Sequence, residues 1–270
     1  MNAAASLFDQ HTAVRSLGEG RYGAEIDPSW WIVRGPNGGY VAALLVQASK
    51  AAVDDASRGL RSLTVHYLRP PTTGPAEIET RVERRGRSLT TVTARLLQEG
   101  RVQALAVAAF SKARASEELH HARMPEVPPP EEIEAQSANP MIPMHAHYDE
   151  RPVIGGGPWT ETQGSEALSG GWIRLAEPRP LDDARIVAIS DAWVPAVFSC
   201  RGVATNGVPT IDLTVHVRAS LPDALRTPHD FVLVVFRTRE IRDGFLEEDG
   251  EIWSREGVLL AQCRQLAVMS

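Results

Sequence analysis

The sequence predicts an α+β protein built from two similar modules, each with an apolar helix followed by an antiparallel sheet. One observation is an internal repeat, because the Leu-Thr-Val-His segment Leu63–His66 recurs 150 positions later as Leu213–His216. Another is the order of elements around the repeat: in each half a helix precedes this strand, and three further strands follow it. A repeated order with a long period indicates one module used twice.

Composition limits the classes of function. The 270 residues carry 28 basic and 34 acidic side chains, for a net charge of −6, and 43% of them are hydrophobic. This balance is typical of a globular protein, no apolar run reaches the ~20 residues of a membrane span, and the acidic excess argues against broad nucleic-acid binding. Residues Met1–Arg15 lack a signal-peptide layout, and Cys200 and Cys263 fit neither a disulfide framework nor a zinc spacing. We therefore expect a cytoplasmic protein without nucleic-acid or membrane partners.

Residues 1–111 predict the first module. An alanine-rich helix over Tyr40–Val53 is apolar on nearly every side, as expected of an enclosed helix. Glu99 and Gly100 predict a tight turn between two of the strands that follow. The predicted strands are Ser62–Leu68, Ala76–Arg84, Ser88–Gln98 and Arg101–Phe110.

Residues 112–150 predict a linker, because their density of prolines blocks regular structure. Two histidine pairs occur here, His120 with His121 and His145 with His147. Without nearby cysteines or a suitable arrangement of carboxylates, such pairs are more often solvated than bound to metal. The sequence therefore predicts neither a metal site nor a cofactor.

Residues 151–270 predict the second module. Its helix begins near Leu181–Asp183, where acidic side chains suit the helix N-terminus, and a kink is expected near Pro195. A long helix wrapped by a strongly curved antiparallel sheet is the hotdog arrangement. The pattern thus predicts a double hotdog, with two curved antiparallel sheets that each wrap a long central helix. The predicted strands are Thr210–Val217, Phe231–Arg239, Gly244–Ser254 and Val258–Val268.

Three polar residues of the second module lie where chemistry could occur. Gln265 is in phase with an apolar row of the last strand, so its amide is either satisfied by neighbouring backbone or used in a site. Asp212 lies at the start of the repeated strand, where the first half has Ser62 instead of an acid. It could act as a base, or it could be a solvated or turn-capping residue. Thr238 ends an apolar strand, where threonine is also an ordinary residue. His66 and His216 occupy matching positions in the two halves and are interpreted as packing or face-lining residues, with a general-base role for one of them as the minor alternative.

Several segments resemble the acyl-CoA thioesterase II family. In the second half they are Ser190-Asp191 with Pro195, Thr210-Ile211-Asp212, and Gly257–Ala261 followed by Gln265. In the first half, Asn37–Tyr40 leading into an alanine-rich helix is similar to the first hotdog of that family. The resemblance covers nearly the whole chain except the linker.

The resemblance implies hydrolysis of fatty acyl-CoA thioesters to a free acid and coenzyme A, without a metal or a covalent intermediate. In that family an acid, a hydroxyl and an amide of the second hotdog orient a water, and we carry these roles over to Asp212, Thr238 and Gln265. Asp191 also matches a family position and is given a structural or site-shaping role.

The turn Asn37–Gly39 is a candidate substrate-binding segment. Backbone N–H groups at a helix N-terminus can hold a developing oxyanion, and glycine lets a ligand approach the backbone. An ordinary loop-to-helix turn explains the same residues equally well.

Two other functions stay open at this point. A non-catalytic acyl-thioester binding protein would keep the fold and lack the water-orienting set. A hydratase or dehydratase of the same architecture is the least favoured, because the expected Asp-x-x-x-x-His spacing after a helix start is not found. Exposed sheet edges make a homodimer of double hotdogs possible.

Overall fold

The first half forms a sheet around one long helix. The computed structural model describes residues 5–156, 164–203, 207–221, 227 and 229–270. Before the linker, its helices are α1 (Leu7–His11) and α2 (Gly38–Val53), with a short 3-10 turn over Pro28–Trp30. Its strands are β1 (Arg15–Gly18), β2 (Arg21–Ile26), β3 (Gly59–Tyr67), β4 (Gly74–Arg85), β5 (Leu89–Gln98) and β6 (Arg101–Ser111). The predicted helix and four strands are found here, and α1, β1 and β2 were not predicted.

The α2 helix forms the core of this half. Asn37 caps its N-terminus by accepting a hydrogen bond from the Tyr40 N–H at 3.0 Å, and Asp54 ends it in the left-handed conformation. Tyr40, Leu44 and Leu45 are 0% exposed. The helix is thus enclosed, as its nearly all-apolar sequence predicts.

The second half has a much shorter helix than predicted. Its helix α3 (Asp183–Ile189) has seven residues, and a 3-10 helix, Ala196–Ser199, follows it. Proline disfavours helical conformation in the residue before it, so Pro195 prevents the apolar stripe from continuing as one helix. The strands are β7 (Tyr148–Gly155), β8 (Ala167–Leu175), β9 (Thr210–Val217), β10 (Val232–Thr238), β11 (Ile241–Arg242), β12 (Phe245–Ser254) and β13 (Leu259–Val268).

All the strands belong to one sheet rather than the two predicted. Its order is β1-β2-β4-β5-β6-β3-β9-β13-β12-β10-β8-β7, with β11 paired to β12, and every named strand pair is antiparallel. The two halves join where the repeated strands β3 and β9 pair. Thr64 lies opposite Thr214 there, and their hydroxyl oxygens are 3.0 Å apart. The internal repeat therefore marks the junction of the halves, and pairing within the chain replaces two exposed edges by one continuous ladder.

The segment between β6 and β7 lies against the second half. It holds only two 3-10 helices, Pro130–Glu132 and Pro143–His147. The Trp172 indole N–H donates to the Pro128 carbonyl at 2.8 Å, and the Gln136 N–H donates to the Glu150 carbonyl at 2.7 Å. Strand β7 crosses the predicted boundary after residue 150, so the division into domains stays a prediction. Among the described residues, no helix is both long and apolar enough to cross a membrane.

Candidate active site

A β-bulge in β9 decides which side chains of that strand reach the interior. Asp212 lies opposite Leu266 of β13 and Thr210 lies opposite Ala267, with one extra residue on β9 between these pairs. Directly opposed residues share a face of the sheet. Thr210 therefore shares the inner face with Ala267, which is 2% exposed, and Asp212 shares the outer face with Leu266, which is 37% exposed.

The structure does not bring Asp212 to Gln265. Gln265 lies on the inner face and is 7% exposed, whereas Asp212 faces the other side of the sheet, opposite the exposed His66 of β3. Regular alternation along β9 keeps Asp212 in phase with Thr214 and His216, on the face opposite the buried Leu213 and Val215. The bulge lies between Asp212 and Thr210, so it turns Thr210 inward and leaves Asp212 on the outer face.

Gln265 is the centre of a hydrogen-bonded cluster on the inner face. Its Oε1 accepts from the Thr210 hydroxyl at 2.8 Å. Its Nε2 donates to Glu248 Oε1 at 2.8 Å, and the amide lowers the pKa of the nearby Asp191 carboxylate. The amide predicted from its place in an apolar row is thus satisfied entirely by side chains.

Asp191 follows α3 and meets the N-terminus of α2. Its Oδ2 accepts from the Gly39 N–H at 2.9 Å and from Asn37 Nδ2 at 3.1 Å. The Asn37 amide also donates to the Asp191 carbonyl at 2.7 Å. Burial raises the pKa of Asp191 to about 6, and hydrogen bonds from Gly39, Asn37 and Gln265 oppose that rise. The carboxylate therefore titrates close to neutrality and takes up protons readily.

Glycine is required at the N-terminus of α2 because Asp191 lies so close. A Cβ added to Gly38 would be 2.8 Å from Asp191 Oδ2 and 3.1 Å from the Tyr67 hydroxyl oxygen. A Cβ added to Gly39 would be 2.5 Å from the Ala188 carbonyl oxygen. The Tyr67 hydroxyl donates to the Gly38 carbonyl at 2.8 Å. The segment Asn37–Gly39, predicted to bind substrate, thus contacts the Asp191 carboxylate here.

Thr238 ends β10 on the inner face of the sheet. It is 8% exposed, and its hydroxyl has no hydrogen-bond partner among the described residues. The hydroxyl that contacts Gln265 belongs to Thr210 instead. In the sequence, Thr210 stands out only as part of a segment similar to the family, because the bulge that turns it inward has no signature in the alternation.

Glu248 contacts Gln265 in the candidate site and was not predicted from the sequence. It lies on β12 opposite Gln265, is 3% exposed, and accepts from the Ala196 N–H at 2.5 Å. A signal was present, because Glu248 is in phase with the buried residues Leu246 and Ile252. An acid in an apolar row is as informative as the amide of Gln265.

The geometry brings a base, a hydroxyl and an amide together at a helix N-terminus. Asp191 and Thr210 both keep part of their surface exposed, so solvent reaches the side chains on either side of the Gln265 amide. Such a set can hold a water and accept its proton. Among the described residues, no group of three or more His, Cys, Asp and Glu side chains is arranged to hold a metal ion.

Two family models match the chain. The model of the acyl-CoA thioesterase N-terminal domain matches residues 27–111, and that of the acyl-CoA thioesterase C-terminal domain matches residues 122–269. No curated protein matches the chain.

Solved structures are similar over nearly the whole chain. A protein of unknown function with a hot dog fold from Alicyclobacillus acidocaldarius is 30% identical, with a TM-score of 0.91 and 98% of each chain covered. A candidate thioesterase II from Thermobifida fusca YX is 28% identical, with a TM-score of 0.84 and 99% of each chain covered. An acyl-CoA thioesterase II, TesB2, from Mycobacterium marinum is 19% identical, with a TM-score of 0.76, covering 97% of this chain and 98% of that one.

These matches support hydrolysis of acyl thioesters as the general activity. They also agree with the hotdog architecture derived from the helix and strand order. The two family models together span most of the sequence. The chain belongs to the acyl-CoA thioesterase II-like family.

Proposed function

We propose that this protein hydrolyses fatty acyl-CoA thioesters to a free acid and coenzyme A, using a water held by Asp191, Thr210 and Gln265. The observation that carries the proposal is that the Gln265 amide accepts from the Thr210 hydroxyl and lies near enough to the Asp191 carboxylate to lower its pKa. The N-terminus of α2 holds that carboxylate through Asn37 and Gly39.

In the proposed reaction Asp191 is the general base. Its carboxylate takes a proton from the water as the water oxygen bonds to the thioester carbonyl carbon. The tetrahedral intermediate then collapses, the C–S bond breaks, and the coenzyme A sulfur leaves and is protonated by the acid that Asp191 has become. The Thr210 hydroxyl and the Gln265 amide orient the water, and such positioning lowers the barrier by fixing the attacking atom before reaction.

The N-terminus of α2 supports both charges of this reaction. Its partial positive charge favours the ionised form of Asp191 and the oxyanion that forms on the thioester oxygen. The role of Asn37, Gly38 and Gly39 as substrate-binding residues stays a prediction, alongside their contacts with Asp191.

A panel of acyl-CoA esters of increasing chain length tests the function. We expect free coenzyme A to appear with at least one chain length, measured by reaction of its thiol. Tight binding of acyl-CoA without release of thiol over the whole panel would contradict hydrolysis and favour a non-catalytic binding protein. The same reaction mixture without the protein serves as the blank.

The hydroxyl of the site can be identified by two matched substitutions. Thr210→Val removes the hydroxyl that donates to Gln265, so kcat is expected to fall by about 10- to 100-fold. Thr238→Val removes a buried hydroxyl that has no partner among the described residues, so kcat should change little and the free energy of unfolding should stay equal or rise. Loss of activity only in Thr238→Val would restore the assignment made from sequence.

The pH dependence of kcat/KM should report Asp191. Burial raises its pKa to about 6, and only the ionised carboxylate can accept a proton. We therefore expect kcat/KM to be low below about pH 6 and to increase to a plateau above it. A profile that stays flat between about pH 5 and 7 would exclude Asp191 as the base.

A further inference from the structure

Glu248 is a buried carboxylate held by uncharged donors. It is 3% exposed and accepts from Gln265 Nε2 and from the Ala196 N–H. No salt bridge to Glu248 occurs in the part of the chain that the structure describes. Buried acids are rare unless paired with a cation, and an apolar residue of similar volume would cost less free energy at this position. A role beyond packing would account for an acid here.

The contact between Glu248 and Gln265 sets the orientation of the amide. A side-chain amide has one acceptor end and one donor end, and a carboxylate accepts only from the donor end. Because Nε2 donates to Glu248 at 2.8 Å, Oε1 faces Thr210 and accepts a hydrogen bond from its hydroxyl at 2.8 Å. Glu248 is itself fixed, because its second oxygen accepts from the Ala196 N–H.

We propose that Glu248 is a positioning residue of the thioesterase site, which fixes the Gln265 amide in the orientation that holds the attacking water. Glu248 lies opposite Gln265 in the sheet and acts through that amide rather than on the substrate. This inference rests on the proposed function, and it adds a residue to the set Asp191, Thr210 and Gln265.

Titratable groups from three elements surround Glu248 and influence its pKa. Asp191 approaches from the end of α3, Glu247 adjoins it on β12, and Cys263 faces it from β13. Burial raises the pKa of Glu248 to about 7, hydrogen bonds from Ala196 and Gln265 lower it, and the charges of Asp191 and Glu247 raise it. Protonation of Glu248 places a hydrogen on one of the two oxygens that accept from Gln265 Nε2 and from the Ala196 N–H, and so weakens its hold on the amide.

Two consequences follow for the wild-type protein. Activity should rise with pH through two ionisations, that of Asp191 and that of Glu248. The folded-state pKa of Glu248 lies above its ordinary value of 4.5, so its contribution to stability is full below 4.5 and is lost as pH rises through about 7.

Three substitutions of Glu248 separate positioning from structure. Glu248→Gln and Glu248→Leu are expected to lower kcat by about 10- to 100-fold, with KM changed less than about threefold. Their kcat profiles should show one ionisation in place of two, with the acid limb at lower pH because Asp191 loses a negative neighbour. At pH 8 the unfolding temperature of Glu248→Leu should be no lower than that of wild type. Glu248→Asp keeps a carboxylate and should recover part of the lost kcat.

Glu251→Gln is the matched control, since Glu251 lies on the same strand with its side chain on the opposite face. It should keep both kcat and the pH profile. An active wild type with unchanged kcat and an unchanged profile in Glu248→Gln and Glu248→Leu would overturn this inference alone. A wild type inactive on every acyl-CoA ester would overturn it together with the proposed function. Loss of activity that parallels loss of folding in Glu248→Leu would assign Glu248 to structure and overturn it as well.

Discussion

Replacing Asp191 by asparagine is expected to lower kcat by about 10²- to 10⁴-fold, the contribution usual for a general base. Asparagine keeps an acceptor oxygen for the Gly39 N–H and the shape of the side chain, so the fold should persist. It cannot take a proton from water. The measurement is the rate of thiol release from an acyl-CoA ester, with circular dichroism and thermal unfolding of the same sample to show that the protein is folded.

Asp212→Asn is the matched comparison for this experiment. Asp212 lies on the outer face of β9 opposite Leu266, away from the Gln265 amide. We therefore expect its asparagine variant to keep kcat within about threefold of wild type. Inactivity of Asp212→Asn together with an active Asp191→Asn would refute the site proposed from the structure and return the base to the residue assigned from sequence.

Replacing Gly39 by alanine is expected to reduce both stability and activity. The new Cβ would be 2.5 Å from the Ala188 carbonyl oxygen and 3.1 Å from Asp191 Cβ, so α2 and the end of α3 must separate. Such overpacking typically costs about 1–3 kcal/mol of the free energy of unfolding. It also shifts the Gly39 N–H away from the Asp191 carboxylate. Denaturant unfolding and thiol release measure the two effects.

Gly59→Ala is the control for the Gly39 variant. A Cβ at Gly59 would meet only an oxygen of Asp183, at 4.0 Å, and no strained backbone conformation is required there. It should leave kcat and the free energy of unfolding close to wild type. If Gly39→Ala also left kcat and the free energy of unfolding unchanged, the idea that close contact between α3 and the N-terminus of α2 positions Asp191 would be wrong.

Local sequence patterns predicted much of the fold. The apolar residues of α2 recur at helical spacing on nearly all sides, and a helix of that kind has to be enclosed. Strand β9 was predicted with the bounds Thr210–Val217 that the structure shows, because alternation reports a strand with one face buried. The internal repeat predicted two modules, and the structure pairs the repeated strands with each other.

Strands β1, β2, β7 and β8 were not predicted from the sequence. For β8 the structure shows the reason. The residues Gly170 and Gly171 interrupt the apolar pattern of β8, and their Cβ positions would lie 2.2 and 2.3 Å from neighbouring carbonyl oxygens. Close approach of backbones demands glycine there, so packing removed the side chains by which a strand is recognised.

The site depended on long-range structure. Gln265 was predicted because a polar residue in an apolar row is visible in the sequence, and Glu248 carried the same unused signal. The places of Asp191 and Thr210 in the candidate site could not be predicted from alternation. The bulge in β9 turns Thr210 inward, and the end of α3 before Pro195 directs Asp191 to α2.

By itself, then, the amino-acid sequence determined the family, and it predicted the two-module plan and a polar amide in an apolar row of the last strand, since each depends on residue types and spacings along the chain. Only the tertiary structure decided which acid and which hydroxyl meet that amide. For the hydroxyl, the physical reason is that a strand's side chains change face with every residue, so one inserted residue in β9 turns Thr210 to the inner face. The pairing that accommodates this residue forms between strands far apart in the chain.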